Sequence, residues 1–166
     1  MHPRWRLSHA RGYLELGLVE DAAAELALLP PGQPDDLEVL GLHALILREQ
    51  SRWLELRVAA AELVQRQPHL ADWWITYAYA TRRAVSLPEA EAILREAELR
   101  HPQEPTIQFN LGCYACQLGD LAEARRRVDA AIALDPHFRA AAATDPDLAP
   151  LRAAGPPASL DCPPTG

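Results

Sequence analysis

Residues 111–136 read LGCYACQLGDLAEARRRVDAAIALDP and decide the fold of this chain. Small residues such as Gly112 and Ala124 recur among leucines, Gly119 stands about a third of the way along, and Pro136 closes the stretch. Glycine accepts the positive φ of a turn between helices, and proline cannot continue a helical hydrogen-bond ladder. The stretch therefore predicts two helices that meet at a turn near Gly119 and end at the proline.

This proline is the last of four that recur at intervals of 34 residues, at positions 34, 68, 102 and 136. If each proline is numbered as position 32 of a repeat, position 8 is small in every repeat: Ala10, Ala44, Ala78 and Gly112. Position 3 is apolar in every repeat: Trp5, Val39, Trp73 and Ile107. Small side chains at one fixed position let two helices approach closely where their ridges cross. The chain is therefore predicted to be an array of helix hairpins.

The pattern resembles the tetratricopeptide repeat, a helix–turn–helix unit of 34 residues. The last repeat carries the family residues at six positions: Leu111, Gly112, Gly119, Ala124, Ala131 and Pro136. The resemblance covers about residues 3–137 and implies an all-α fold, a right-handed α-solenoid of four helix hairpins with a short C-terminal capping helix. One hairpin cannot bury its apolar face alone, so neighbouring hairpins must stack.

The predicted organisation has four repeats followed by two C-terminal segments. The repeats fill residues 3–136, at about 3–36, 37–70, 71–104 and 105–137. A capping segment is expected at 138–153, where the apolar residues Phe138, Leu148 and Leu151 would cover the last hairpin. The tail at 155–166 has four prolines in twelve residues, a composition that predicts disorder.

Composition narrows the classes of function. The net charge of −7 argues against nucleic acid as a partner. No apolar run approaches the roughly 18 residues that cross a membrane, and no apolar leader follows the start, so a cytoplasmic protein is expected. All 16 basic residues are arginine, which we attribute to GC-rich coding and hence to a bacterial source.

The sequence contains few candidates for chemistry. Cys113 and Cys116 form a C-x-x-C spacing within a predicted helix, so they share one face. A zinc site needs about four ligands, and a thioredoxin-type motif needs a helix N-terminus. Without a recognisable catalytic motif we predict no enzyme, no metal and no cofactor. The alternative is a small redox or metal-binding protein that uses this cysteine pair. His9 and His43 both occupy position 7 of their repeats and are expected to pack between helices.

The resemblance implies that the first helix of each repeat lines a concave groove. The candidate partner-binding residues that it places there are Arg11, Leu42, Leu45, Arg48, Ile75, Tyr79, Arg82, Phe109 and Asn110. Arginine beside aliphatic and aromatic surface is a common anchor composition at protein interfaces. We therefore expect a protein–protein interaction module, an adaptor, scaffold or chaperone-like protein, that binds a peptide or helix of another protein.

The groove composition also predicts the ligand. Arg82 and Arg48 are expected to pair with a carboxylate, and Ile75, Tyr79 and Phe109 to receive apolar side chains. Two other uses stay open at this point. The groove could hold the protein's own tail, or copies of the chain could form a homo-oligomer through exposed apolar edges of the stack.

Overall fold

The computed structural model describes residues 3–30 and 36–155, and within them it contains helices and no strand. The helices are α1 (Pro3–Glu15), α2 (Val19–Ala27), α3 (Asp36–Glu49), α4 (Trp53–Arg66), α5 (Ala71–Ala84), α6 (Leu87–Arg100), α7 (Pro105–Gln117), α8 (Leu121–Leu134), α9 (Phe138–Thr144) and α10 (Ala149–Ala153). A 3-10 helix (Pro146–Leu148) joins the last two. The all-α class expected from the sequence is confirmed. Of the predicted tail, only Gly155 lies within the described residues.

The chain divides into two compact units, Met1–Pro102 and Gln103–Gly166. In the first unit, α1 pairs with α2, α3 with α4, and α5 with α6, and α4 also packs against α5. In the second unit, α7 pairs with α8, and the segment from α9 to α10 packs on that hairpin. Among the described helices, none is both long and apolar enough to cross a bilayer.

The small residues at position 8 lie where helices meet. Ala10, Ala44 and Ala78 have no exposed surface. Ala10 belongs to a core cluster with Leu7, Ala22, Leu42 and Ile46. Ala44 belongs to a second cluster with Leu47, Leu56, Ala59, Leu63 and Ala80. These contacts support the interpretation that small side chains allow the helices of the first unit to pack closely.

Two helices begin directly after a residue whose side chain accepts a hydrogen bond from an N–H group of the first helical turn. The Ser86 hydroxyl accepts the N–H of Glu89 at 3.3 Å before α6. The Asp120 carboxylate accepts the N–H of Glu123 at 3.0 Å before α8. Each side chain supplies an acceptor that the first helical turn lacks.

The turns within the hairpins differ in the backbone φ angle of the residue at position 15 of the repeat. Gly17 and Gly119 take φ values of +75° and +88°. Ser51 takes φ +56° at the same position of the second repeat, in the left-handed region that disfavours side chains. Val85 in the third repeat has φ −130°, so its turn closes without a left-handed residue.

Replacement of Ser51 by glycine is expected to stabilise the first unit. Glycine adopts the left-handed conformation without strain, but it also loses more conformational entropy when the chain folds. The first effect is larger, so the free energy of unfolding should rise by about 0.5–1 kcal/mol. Urea unfolding followed by circular dichroism measures the change. Ser86→Gly is the control, because it removes a helix cap at an extended residue and should destabilise by a few tenths of a kcal/mol. A Ser51→Gly protein less stable than the parent would contradict the prediction.

The C-terminal segment covers one side of the last hairpin, as its apolar residues predicted. Phe138 of α9 packs against Phe109 of α7, with ring centroids 4.9 Å apart. Leu148 and Leu151 are both buried in the second unit. Their burial replaces the contacts that a further hairpin would make, which is the role of a cap in a helical array.

The two histidines at position 7 are exposed, so the expectation that they pack between helices is wrong. For His43 the reason lies in the preceding helix. α2 has 9 residues, whereas α4 and α6 have 14 each. The prolines after α2 end it early, so the side of α3 that carries His43 stays open to solvent.

Candidate functional site

The first unit has an open pocket of about 660 Å³ lined by α1, α3 and the start of α5. Three of the predicted groove residues, Arg11, Leu42 and Leu45, lie in its wall. We call it the leucine pocket, because the rest of its apolar wall consists of Leu14, Leu37, Leu70 and Trp73. Its volume and mostly apolar lining are typical of sites that receive a ligand group.

A glycine and a tryptophan shape the floor of this pocket. A Cβ added at Gly41 would lie 3.3 Å from a ring atom of Trp73, so the indole lies directly against the helix backbone. The indole Nε1 donates a hydrogen bond to Gln67 Oε1 at 3.0 Å. Trp73 occupies position 3 of its repeat, a position expected to pack between helices. The sequence analysis therefore did not predict Trp73 as a site residue. The sequence feature that could have indicated this contact is Gly41 on the neighbouring helix, because the absence of a side chain there leaves room for the indole ring.

Two of the predicted arginines already have acidic partners. Arg11 Nη2 lies 2.5 Å from Glu38 Oε1, which joins α1 to α3 at the rim of the leucine pocket. Arg48 lies 3.3 Å from its neighbour Glu49. Ion pairs between exposed side chains contribute only about 0–1 kcal/mol. A ligand carboxylate can therefore replace either acid at little cost in free energy.

Three further predicted residues lie along α5, outside the wall of the leucine pocket. Ile75 and Arg82 are half-buried, and Tyr79 is 41% exposed. The Tyr79 ring meets Trp53 edge-on at 5.5 Å, and the Arg83 guanidinium lies 5.0 Å from the centre of the Trp53 ring. Of the predicted residues of the first unit, three thus line the leucine pocket, and Tyr79 belongs to an aromatic patch made of Trp53, Tyr79 and Arg83.

In the second unit one of the two predicted groove residues, Phe109, is covered by the chain itself. Phe109 is only 5% exposed, because Phe138 of α9 lies on it. Asn110 is half-buried. The amide of Gln117 on the same helix donates to the carbonyl oxygen of Asp147 at 2.7 Å. Phe109 is therefore not an open groove residue, contrary to the expectation.

Both cysteines are buried in α7, and Cys113 lies beside the same segment. Cys113 Sγ lies close to the carboxylates of Asp145 and Asp147, with the three ligand atoms within 4.8 Å of one another, whereas Cys116 is outside this group. Asp145 already accepts the N–H of Asp147 at 2.8 Å, a bond that begins the 3-10 helix. One thiol with two carboxylates is not the cysteine and histidine set of a structural zinc site. The cluster therefore differs from a structural zinc site, and it does not include the second cysteine of the pair.

A second pocket of about 630 Å³ lies between α2, α3 and α4, where the short α2 leaves α3 uncovered. Its wall includes Leu26, Val39 and Ile46, with His43 and Arg52 among its polar residues. Partial burial lowers the pKa of His43 below its ordinary value, and the positive charge of Arg52 lowers it further. Both effects favour the neutral form of the imidazole.

Comparison with known proteins gives structural matches alone. Neither the protein-family models nor the curated protein sequences match this chain. The crystal structure of TTC0263, a thermophilic TPR protein of Thermus thermophilus, is similar with a TM-score of 0.67 at 20% identity, over 84% of this chain and 79% of that one.

Two chaperone complexes are similar as well. The type III secretion chaperone SycD of Yersinia enterocolitica, in complex with a peptide of the translocator YopD, matches with a TM-score of 0.62 at 17% identity, over 75% of this chain and 95% of that one. PcrH, in complex with the chaperone binding region of PopD, matches with a TM-score of 0.56 at 22% identity, over 75% and 90% of the two chains.

These similarities define the class of fold. The described helices and the solved structures share an all-α, helical-solenoid architecture of the tetratricopeptide repeat type. At identities of 17–22% the likeness concerns the fold, and the work of the protein has to be argued from its own surface.

Proposed function

We propose that this protein is a protein–protein interaction module that binds an aliphatic segment of another protein in the leucine pocket of its first unit. The observation that carries the proposal is the pocket itself, which is walled by leucines and Trp73 and rimmed by the Arg11–Glu38 ion pair. An apolar depression with a few polar groups at its edge suits an aliphatic anchor on a polar backbone.

Two similar structures support a peptide as the ligand class. SycD was solved with a peptide of YopD, and PcrH with a region of PopD. We therefore place the present protein among adaptors or chaperone-like proteins of the bacterial cytoplasm. Its work is binding, and the described residues provide no constellation that we assign to catalysis.

The surroundings of the leucine pocket specify the ligand further. A leucine or isoleucine of the ligand fills the pocket against Leu45 and Trp73, which removes apolar surface on both partners from water. A ligand carboxylate pairs with Arg48, whose present partner is an exposed neighbour. Arg82 is the second arginine assigned to an acidic ligand group, and the aromatic patch beside it provides a further apolar contact.

Binding of defined peptides tests this proposal. Two sets of fluorescein-labelled peptides of about 15 residues are compared, one with two leucines four residues apart and an aspartate, the other with serine in place of the leucines. Fluorescence anisotropy should detect binding of the leucine set alone. Leu45→Arg should weaken binding at least about tenfold, which is 1.4 kcal/mol. Arg48→Ala and Arg82→Ala should each weaken it by about threefold and reduce its salt dependence.

Leu54→Arg is the matched control, because Leu54 is an exposed leucine of α4 that lies outside the pocket wall. It should bind the leucine peptides as the parent does. Equal binding of the serine peptides, or an unchanged affinity after Leu45→Arg, would remove the leucine pocket as the site.

A further inference from the structure

The outward side of α1 carries a stripe with an exposed apolar side chain at each end, and no contact among the described residues of the first unit covers these two side chains. Trp5 is 64% exposed and Leu16 is 76% exposed, and His9 and Gly12 lie between them. The N–H of Leu16 bonds to the carbonyl of Gly12 at 3.1 Å, so the helical geometry extends to Leu16. We call these four residues the α1 stripe.

The residue at position 10 of the repeat differs in burial between α1 and the later hairpins of the first unit. Gly12 is position 10, and its equivalents Ile46 and Ala80 are buried within the first unit. At Gly12 itself, an added Cβ would meet nothing within 4 Å. The position is therefore a packing position in the later hairpins of this unit and an open one in α1.

The α1 stripe has the spacing of a helix-pairing seam. Its residues follow one another at intervals of four, three and four, the interval of knobs-into-holes packing. This spacing reads the same in both directions. A second copy of α1 running antiparallel would set Trp5 against Leu16 and His9 against Gly12. A parallel copy would oppose Trp5 with Trp5 and Gly12 with Gly12, which gives crowding at one end and a void in the middle.

We propose that two copies of this chain associate through the α1 stripe, with the two helices antiparallel about a two-fold axis between His9 and Gly12. The bulky residues at the ends of the stripe then meet each other. The glycine receives the imidazole of the other copy, because its lack of a side chain lets the helices approach closely. An isologous contact of this kind closes on itself and yields a dimer.

Charge favours this seam over another with the same spacing. Beside the α1 stripe, antiparallel pairing brings Glu15 of one copy towards Ser8 and Arg4 of the other, so unlike or neutral groups meet. The exposed side of α4 also shows the four–three–four spacing, with Leu54, Val58, Ala61 and Gln65. Self-pairing of α4 would instead bring Glu55 towards Glu62 of the other copy, and like charges facing each other are destabilising. The α1 stripe is therefore the self-complementary one.

The surface area that the α1 stripe can bury sets the expected affinity of the dimer. A tryptophan buries about 150–250 Å² when fully covered. Two tryptophans and two leucines fall short of the roughly 1,200 Å² at which stable interfaces begin. The dimer should accordingly be concentration-dependent, with a Kd in the micromolar range.

Sedimentation equilibrium on the full chain across the micromolar range tests the proposal. The parent protein should shift from the mass of one chain towards that of two. Gly12→Gln should weaken dimerisation at least tenfold and also raise the urea midpoint, because glutamine is a better helix former and the monomer has room for it. A folding defect would lower the midpoint, so the two readouts separate the explanations.

Leucine variants provide the matched pair. Leu16→Gln should weaken dimerisation at least tenfold, whereas Leu99→Gln, at an 83% exposed leucine of α6, should leave it unchanged. The proposal is overturned if the parent stays monomeric throughout the range. It is also overturned if Gly12→Gln dimerises as the parent does, or if both leucine variants lose the same affinity.

Disulfide mapping tests the orientation. The variant His9→Cys, Gly12→Cys, Cys162→Ser is oxidised with oxidised glutathione, and the covalent dimer is separated from the monomer on a non-reducing gel before digestion and mass spectrometry. Antiparallel pairing links position 9 of one copy to position 12 of the other. Bonds that join identical positions would instead show parallel pairing and overturn the proposed arrangement. Peptide binding in the leucine pocket should be the same in Gly12→Gln and the parent, so the two proposals stand or fall separately.

Discussion

A valine in place of Gly112 is expected to disrupt the second unit. A Cβ at this position would lie 2.9 Å from Val128 Cγ2, 3.2 Å from the Ala124 carbonyl oxygen and 3.2 Å from Arg127 Cβ. The carbonyl belongs to the backbone of α8, so the clash can be relieved only if α7 and α8 separate. The free energy of unfolding should fall by about 3 kcal/mol or more, at the upper end of the range for overpacked cores.

Gly12→Val is the matched control for this prediction. Both glycines lie in the first helix of a hairpin, but nothing lies within 4 Å of a Cβ added at Gly12. At concentrations too low for self-association, the control should be neutral or slightly stabilising, since valine is a better helix former than glycine. Urea unfolding by circular dichroism measures both variants. A loss below about 1 kcal/mol for Gly112→Val would contradict the close approach of α7 and α8.

Loss of the Glu123 carboxylate is expected to have a similarly large effect. Arg127 is only 4% exposed, and its Nε donates to Glu123 Oε1 at 2.7 Å. Its Nη1 donates to Gln108 Oε1 at 2.9 Å. Glu123→Ala leaves a buried guanidinium without its carboxylate. Removal of one partner from a buried pair costs about 3–5 kcal/mol, and the partial exposure of Glu123 places the expected loss near 3 kcal/mol.

Arg126→Ala provides the control for the buried pair. Arg126 also bonds Glu123, at 2.7 Å, but it is exposed, so its removal should cost less than about 1 kcal/mol. The double variant Glu123→Ala, Arg127→Met should recover part of the loss, because no charge is then left buried. If Glu123→Ala and Arg126→Ala are equally stable, the buried pair does not contribute as proposed.

The same carboxylate predicts a dependence on pH. Hydrogen bonds from Arg126 and then Arg127 lower the pKa of Glu123 from 4.5 to about 2. A carboxylate with a lowered pKa stabilises the folded state fully above its unfolded pKa, and this contribution disappears as the pH falls through the folded value. The stability difference between the parent and Glu123→Ala should therefore be constant near pH 7 and shrink between pH 4.5 and 2. A difference that stays constant in acid would contradict this assignment.

The helical class of this chain could be predicted because the deciding contacts repeat at a fixed interval. Each repeat of about 34 residues has a small residue at one position, a turn residue at another and a proline at a third. The repeats therefore independently support the same prediction of helix hairpins. Ala44 and Ala78 are buried for the reason that their position in the repeat predicted. Even the left-handed residue Ser51 falls at the position where two other repeats have glycine.

The candidate site was predictable only in part. Arg11, Leu42 and Leu45 meet in one pocket because the repeat places them on facing helices. Trp73 was missed because its pocket contact depends on the absent side chain of Gly41, on another helix. Phe109 was misplaced because its exposure depends on which side of the last hairpin α9 covers, and the repeat does not specify that side.

The sequence by itself determined the helices, their turns and the small residues that let them pair, since these depend on local propensity and on spacing along one chain. Only the tertiary structure decided which faces stay open. α2 is short enough to expose His43, the C-terminal segment covers Phe109 and Cys113, and the leucine pocket forms where Trp73 meets a glycine. Exposure depends on whether a distant segment fills a space, and that requires the volumes and positions of side chains that no single repeat contains.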